Sequence, residues 1–168
     1  SSSPSGTVTL ADEGFAQKIR QNVSAPSRII TIKASQTVDR TLTLSGTAAE
    51  LLECTAATAN LTLDGAPNGN GARLKLKLDG TGTGGGTLVN AGYTLAVNCD
   101  VSGAGGFIVN TGQNDSGTLV HGGTNTYSGL TLVTNGTLAI NGMITNGATV
   151  ATNALLGGTG AVGGTVTV

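Results

Sequence analysis

The sequence has few charged and few aromatic side chains. Charged residues make up 10% of its 168 residues and aromatic residues 2%, and tryptophan is absent, whereas ordinary globular domains are about 25% charged. The net charge of −1 provides no basic surface for nucleic acid or for an anionic membrane. Because no run approaches the ~18 consecutive apolar residues of a membrane-spanning helix, we expect neither a nucleic-acid partner nor insertion into a membrane.

Residue types that carry catalysis are scarce as well. The one histidine, His121, precedes two glycines, and no Gly-x-Ser-x-Gly nucleophile elbow is found in the sequence, so we interpret it as a polar turn residue. The aspartates stand singly in turns or at strand ends rather than as paired carboxylates; the ones considered are Asp39, Asp64, Asp79, Asp100 and Asp115. We therefore predict no catalytic residue, no cofactor and no metal site, and a protein that is not an enzyme.

Two cysteines, Cys54 and Cys99, lie far apart and outside any Cys-x-x-Cys spacing, which argues against a metal site or thioredoxin-type chemistry. In an oxidising compartment they could form a disulfide, and the long loop that it closes would stabilise the fold by roughly 4 kcal/mol. The alternative is two buried free thiols. The sequence leaves both open, because a disulfide requires Cα atoms within about 7 Å of each other.

Short segments in which apolar residues alternate with threonines occur along most of the sequence. Apolar residues at positions i and i+2 share one face, as in strands with a single buried face. Clusters of Gly, Asn, Asp and Ser between these segments favour tight turns. The predicted strands are residues 7–10, 28–33, 41–44, 61–63, 73–78, 87–89, 94–97, 107–109, 118–120, 130–133, 137–140, 149–151 and 165–168.

The spacing of the apolar positions favours a parallel β-solenoid over a β-sandwich. Leu119, Leu138 and Leu156 recur at intervals of 18 to 20 residues, and Leu132 and Val150 form a second series. Each turn of a solenoid, here called a rung, cannot bury its apolar face alone and stacks on its neighbours. We predict that the three leucines stack in successive rungs, and that about eight rungs form a rod of roughly 40 Å.

Residues 12–21 depart from the strand pattern. An acidic first turn is followed by Phe15, Ala16 and Ile19, which would share one face of a helix. The pattern favours a short helix. Because solenoid ends expose apolar interior and unpaired strand edges, such a segment is suited to cover one end.

Residues 47–59 also depart from the strand pattern. They begin with Thr47 and, three positions later, Glu50, which is the capping-box spacing at the start of a helix. A short helix is favoured here too, and a strand over residues 51–55 is the alternative.

Residues 125–168 resemble a known repeat. The matching residues are Asn125, Tyr127, Ser128, Gly129, Thr131 and Val133 at its opening, Gly136, Thr137 and Leu138 in its middle, and Leu156, Gly157, Gly158, Thr159 and Gly160 at its close. They are similar to the passenger-associated transport repeat of autotransporter proteins, also called the autotransporter-associated β-strand repeat. The resemblance covers about a quarter of the sequence. It implies an all-β, right-handed, single-stranded parallel β-helix that is secreted to a bacterial cell surface, and it implies nothing about catalysis.

The sequence as a whole predicts one solenoid domain over residues 1–168. Residues 1–59 are expected to form an N-terminal arm and an irregular or helical cap, and residues 60–168 the regular rungs. The expected function is that of an extracellular structural module that stacks end to end into a surface fibre or stalk. The alternative is an adhesin fragment of an autotransporter passenger, because no membrane barrel follows the repeat in this sequence.

The expected partner is a second copy of the chain, while the sequence identifies no host or surface receptor. Alternating strands with open edges invite pairing between copies, and a repeated head-to-tail contact produces a filament. The residues expected at this interface are Thr7, Val8, Thr9 and Leu10 at one end and Thr165, Val166, Thr167 and Val168 at the other.

Overall fold

The computed structural model describes residues 6–10, 14–16, 19–21, 28–34, 37–44, 50–54, 59–67, 71–78, 86–89, 94–109 and 117–168. All regular structure in these ranges is β-strand. The chain passes repeatedly through three sheets, A, B and C, and each passage is one rung.

The first four rungs contain twelve strands. They are β1 (Gly6–Leu10), β2 (Gly14–Ala16) and β3 (Ile19–Gln21); β4 (Arg28–Ala34), β5 (Arg40–Leu44) and β6 (Glu50–Cys54); β7 (Ala59–Leu63), β8 (Leu74–Leu78) and β9 (Gly86–Val89); β10 (Thr94–Val97), β11 (Asp100–Gly103) and β12 (Phe107–Val109).

The last three rungs contain nine strands. They are β13 (Thr118–His121), β14 (Thr124–Asn125) and β15 (Thr131–Val133); β16 (Gly136–Ile140), β17 (Met143–Ile144) and β18 (Ala148–Val150); β19 (Ala154–Gly157), β20 (Ala161–Val162) and β21 (Val166–Thr167).

Each sheet has seven strands, and all neighbouring strands are parallel. Sheet A has the order β1-β4-β7-β10-β13-β16-β19, sheet B β2-β5-β8-β11-β14-β17-β20, and sheet C β3-β6-β9-β12-β15-β18-β21. Every third strand therefore returns to the same sheet, one ladder spacing further on. Six steps of about 4.8 Å separate the first described rung from the seventh, a distance of about 29 Å.

The predicted stacking of Leu119, Leu138 and Leu156 is confirmed. Leu119 pairs with Leu138, and Leu138 pairs with Leu156, in adjacent strands of sheet A. The column continues in the other direction through Leu95 and Leu61. The inferred register of this face of the sequence is therefore correct.

The second predicted series, Leu132 with Val150, is shifted by one residue. Leu132 pairs with Thr149, whereas Val133 pairs with Val150. Val133 is fully buried and Leu132 is only partly buried. Because side chains alternate between the two faces of a strand, a shift of one residue exchanges the inner and outer positions, and an 18-residue spacing was applied where the rung has 17.

The strands form where apolar side chains occupy alternate positions. In β8, with the sequence LKLKL, the three leucines are buried and the lysines point outward. In β16, with the sequence GTLAI, Leu138 and Ile140 face inward while Thr137 and Ala139 lie between them on the outer face. The three sheets thus enclose a narrow core that is mostly aliphatic.

The helices predicted over residues 12–21 and 47–59 are wrong. The first segment contains β2 and β3, and the second contains β6, close to the alternative strand over residues 51–55. Two short strands joined by a corner produce apolar spacings of three and four residues, which mimic a helical face. The stretch predicted as an arm and cap, residues 1–59, supplies strands to the same three ladders.

Candidate functional site

The fifth rung changes the character of the core. Three of the four buried polar side chains in the described residues lie here, and they occupy one inner position in each sheet: His121 in sheet A, Asn125 in sheet B and Thr131 in sheet C. Tyr127 is buried between the last two of these residues. We call His121, Asn125, Tyr127 and Thr131 the rung-5 polar layer.

The layer interrupts columns that are otherwise apolar. His121 pairs with Val97 on one side and with Ile140 on the other. Asn125 stands between Val101 and Ile144 in the same way. The strands that carry these residues are fixed by their parallel ladders, so the polar side chains are directed into the core by alternation alone.

His121 is enclosed by aromatic rings and makes no hydrogen bond. It is fully buried, its ring centroid lies 4.5 Å from that of Phe107 and 6.3 Å from that of Tyr127, and both contacts are edge-to-face. Neither Nδ1 nor Nε2 has a hydrogen-bond partner. Burial lowers the pKa of His121 to about 4, because desolvation disfavours the imidazolium.

The other members of the layer are at least partly satisfied. The Tyr127 hydroxyl lies 2.7 Å from the Thr131 hydroxyl, and burial raises the pKa of Tyr127 to about 12. The Asn125 side-chain amide donates to the carbonyls of Gly123 at 3.2 Å and Met143 at 3.0 Å. Its Oδ1 atom is buried without a partner.

The interpretation of His121 as a polar turn residue is wrong. It is the last residue of β13 and faces the core, as Leu119 does two positions earlier. The pattern Leu119-x-His121 contained this information, because residues two apart in a strand share a face. The glycines that follow outweighed it in the sequence interpretation. Full burial also separates the imidazole from solvent and therefore from any dissolved substrate.

The described aspartates act as turn and corner residues. Asp64 Oδ1 accepts a hydrogen bond from the Ala66 N–H at 2.9 Å within its turn. Asp39 Oδ1 accepts from the Arg73 N–H, and Asp100 Oδ1 from the Thr124 N–H, each at 2.8 Å. The last two bonds join one rung to the next. Asp79 and Asp115 lie outside the described residues.

Cys54 and Cys99 lie two rungs apart. Cys54 ends β6 in the second rung, and Cys99 follows β10 in the fourth. Two ladder spacings place about 10 Å between such rungs, which exceeds the roughly 7 Å that a disulfide spans between Cα atoms. Cys99 is a buried free thiol whose pKa burial raises to about 12. The disulfide alternative is therefore disfavoured, although the Cys54 side chain lies outside the described residues.

The predicted interface strands occupy different sheets. β1, which contains residues 7–10, is the first strand of sheet A, whereas β21 is the last strand of sheet C. A rung added in register to β21 would offer β3 from a second copy, and β1 would meet β19. Of the exposed large apolar residues, Leu155 in β19 and Val166 in β21 lie on these last strands.

A shallow surface groove of about 360 Å³ crosses the last three rungs where sheets B and C meet. Ser128, Asn146, Thr149 and Thr165 contribute polar groups to it, and Leu130, which is 61% exposed, contributes an apolar side chain. Asn146 is held in place because its amide donates to the carbonyls of Tyr127 and Gly129.

No family model, curated protein or solved structure matches the chain. The resemblance of residues 125–168 to the autotransporter repeat thus stays a prediction. Within the described ranges, no group of three or more His, Cys, Asp or Glu residues is arranged to hold a metal ion. The same ranges contain no helix of the length and apolarity needed to cross a membrane.

Proposed function

We propose that this chain is a non-catalytic, extracellular structural module, in which a right-handed parallel β-solenoid stacks end to end into a bacterial surface fibre or stalk. The observation that carries the proposal is the continuity of three parallel ladders through seven rungs. A rod of this kind distributes its stabilising contacts along one axis and can be extended by adding further rungs.

The handedness follows from the connections between strands. A parallel strand that returns to the same sheet through a crossover is right-handed in about 98% of cases, because strand twist favours that path. Each step from one strand of sheet A to the next is such a crossover, with strands of sheets B and C in between. The autotransporter repeat in residues 125–168 supports the same hand and a location on the bacterial surface.

The end-to-end contact deserves a register of its own. An open edge of a parallel sheet presents unpaired N–H and C=O groups. In register, β19, β20 and β21 of one copy would receive β1, β2 and β3 of the next, so that all three ladders continue. In a longer chain the same three edges would receive the following rung of that chain.

The test is sedimentation of the purified chain over a range of concentrations. Val166 is 42% exposed and continues an inner column through Ala148. Val166→Lys places a charge at the proposed contact and should abolish assembly, since inward-pointing charges on edge strands block pairing. The matched control is Leu130→Lys, which adds the same charge at an exposed leucine away from the edge and should assemble normally.

A binding function as an adhesin is favoured by one observation, the groove at Ser128, Asn146 and Thr165. It becomes the better proposal if the unmodified chain stays monomeric at every concentration. Equal assembly of the Val166→Lys and Leu130→Lys variants would instead exclude the proposed register.

A further inference from the structure

The rung-5 polar layer contains a single group that titrates near neutral pH, the imidazole of His121. It is the only histidine of the chain, it is fully buried, and both of its ring nitrogens lack hydrogen-bond partners. Neutral imidazole leaves one N–H donor unsatisfied in this environment, whereas imidazolium leaves two, together with a full charge.

The surroundings of His121 offer no compensating charge. The strands that contact β13 are β9, β10 and β16, and Phe107 of β12 lies against the imidazole. These four strands contain no ionisable residue. The nearby titratable groups are the Tyr127 phenol and, beyond the end of β10, the Cys99 thiol. Burial raises the pKa of each to about 12, so both stay neutral in acid and at neutral pH.

Charge is also scarce in the wider region. Beyond Val101 the sequence contains one carboxylate side chain, Asp115, no lysine and no arginine. The charged pair nearest in kind, Asp39 with Lys75, lies in the second and third rungs. Between pH 7 and pH 4, His121 is therefore the group through which rungs 5 to 7 respond to protons.

We infer that the rung-5 polar layer is an acid-sensitive release point, at which uptake of one proton by His121 opens the core between the fourth and sixth rungs. The proton converts the imidazole into a cation that has neither a counter-ion nor an acceptor, and water provides both once the rung opens. Asn125, whose Oδ1 atom is unpaired, also gains a hydrogen bond from water on opening.

The direction of the pH dependence follows from the two pKa values. The pKa of His121 is about 4 in the folded chain and 6.5 in the absence of burial, so the open state binds the proton more tightly. Stability is constant above about pH 7, falls as the pH drops from 6.5 to 4, and levels off below about 4. The equilibrium constant for folding should fall about 100-fold between pH 7 and pH 4.

One measurement follows the imidazole itself. Because the chain has a single histidine, its ring protons give one signal set in a proton NMR spectrum. In the folded protein that signal should keep the shift of a neutral imidazole at pH 5.5 and change only as the rung opens. A titration midpoint near 6.5 in the folded protein would overturn the inference.

A second measurement compares denaturant unfolding at pH 7 and pH 4 for the native chain and three variants. His121→Gln keeps a polar side chain and loses the titration, and His121→Leu replaces the ring with the residue found at Leu63 of the same column. Both should lose the 100-fold decrease. Tyr127→Phe removes a neighbouring hydroxyl without changing the titration, and it should retain the decrease.

The two His121 variants keep the test decisive if one of them does not fold. The same pH dependence in either folded His121 variant as in the native chain would overturn the inference, because the protons would then be bound elsewhere. A native chain whose folding constant is equal at pH 7 and pH 4 would overturn it as well.

Discussion

The first four rungs and the last three build the same ladders from rungs of different length. In sheet A, adjacent partners are 24 to 34 residues apart up to the fifth rung, as in Val8 with Ile32 and Leu61 with Leu95. They are 19 and then 18 residues apart beyond it. All eight lysines and arginines lie at or before Lys77, within the first three rungs. Strand register is therefore independent of how much chain each corner contains.

Short rungs require corners without side chains. A Cβ added at Gly123, Gly142 or Gly160 would lie within 3.0 Å of the backbone of the preceding rung. In the third rung, by contrast, a Cβ at Gly71 would meet nothing within 4 Å. Compact rungs thus depend on glycine at the corners, whereas long rungs move the corner away from the ladder.

The largest expected effect tests whether the two regions share one core. Leu63 in a long rung and Leu138 in a short rung are both fully buried in sheet A. Replacing either with alanine should lower the free energy of unfolding by about 2–5 kcal/mol, since each leaves a cavity. Leu155→Ala, at a side chain that is 66% exposed, is the control. It should change stability by less than about 0.5 kcal/mol. A large loss at only one of the buried sites would mean that the two regions unfold separately.

The glycine corners provide the next effect. Gly142→Ala places a methyl group against the backbone of Gly122 and Gly123, and should destabilise the chain by about 1–3 kcal/mol. Gly157→Ala meets nothing within 4 Å and should be close to neutral. Chemical denaturation of the two variants measures the difference. Equal stabilities would remove the steric explanation of the short rungs.

The hydrogen bond inside the rung-5 polar layer should show non-additive behaviour. Tyr127→Phe or Thr131→Val each leaves one buried hydroxyl without its partner, at a cost of about 1–2 kcal/mol. The double variant removes both hydroxyls and should recover most of the loss. A double-mutant cycle by denaturation gives the coupling energy, and strictly additive losses would contradict the pairing.

The smallest effect concerns the charged region. Asp39 and Lys75 form an ion pair at 2.7 Å with both side chains largely exposed, and the hydrogen bond from Lys75 lowers the pKa of Asp39. Its stabilisation is present above the ordinary pKa of 3.8 and is lost as the pH falls through the lower folded value. Asp39→Asn should weaken this acid dependence slightly and leave stability near neutral pH almost unchanged. Carboxyl NMR titration would contradict the pair if Asp39 titrated at its ordinary pKa.

The sequence predicted the fold class and the main register well because alternation is a local property. Thirteen of the strands follow from apolar residues at i and i+2, as the column through Leu119 and Leu138 shows. Short strands such as β14 and β17, with two residues each, contain too few positions to show alternation. They form because neighbouring rungs supply their partners.

The rung-5 polar layer was not predicted, for a different physical reason. Asn125, Tyr127 and Thr131 are residue types common in turns and on surfaces. Their burial depends on stacking against Val101, Phe107 and the sixth rung rather than on their own sequence neighbourhood. His121 is the exception, because its spacing from Leu119 already indicated the inner face.

Electron microscopy of the purified chain at rising concentration tests the proposed function most directly. The account predicts unbranched filaments whose axial repeat is about 34 Å, the height of seven rungs at the ladder spacing, and whose number increases with concentration. Single particles of one rod length at every concentration would contradict end-to-end stacking by this chain.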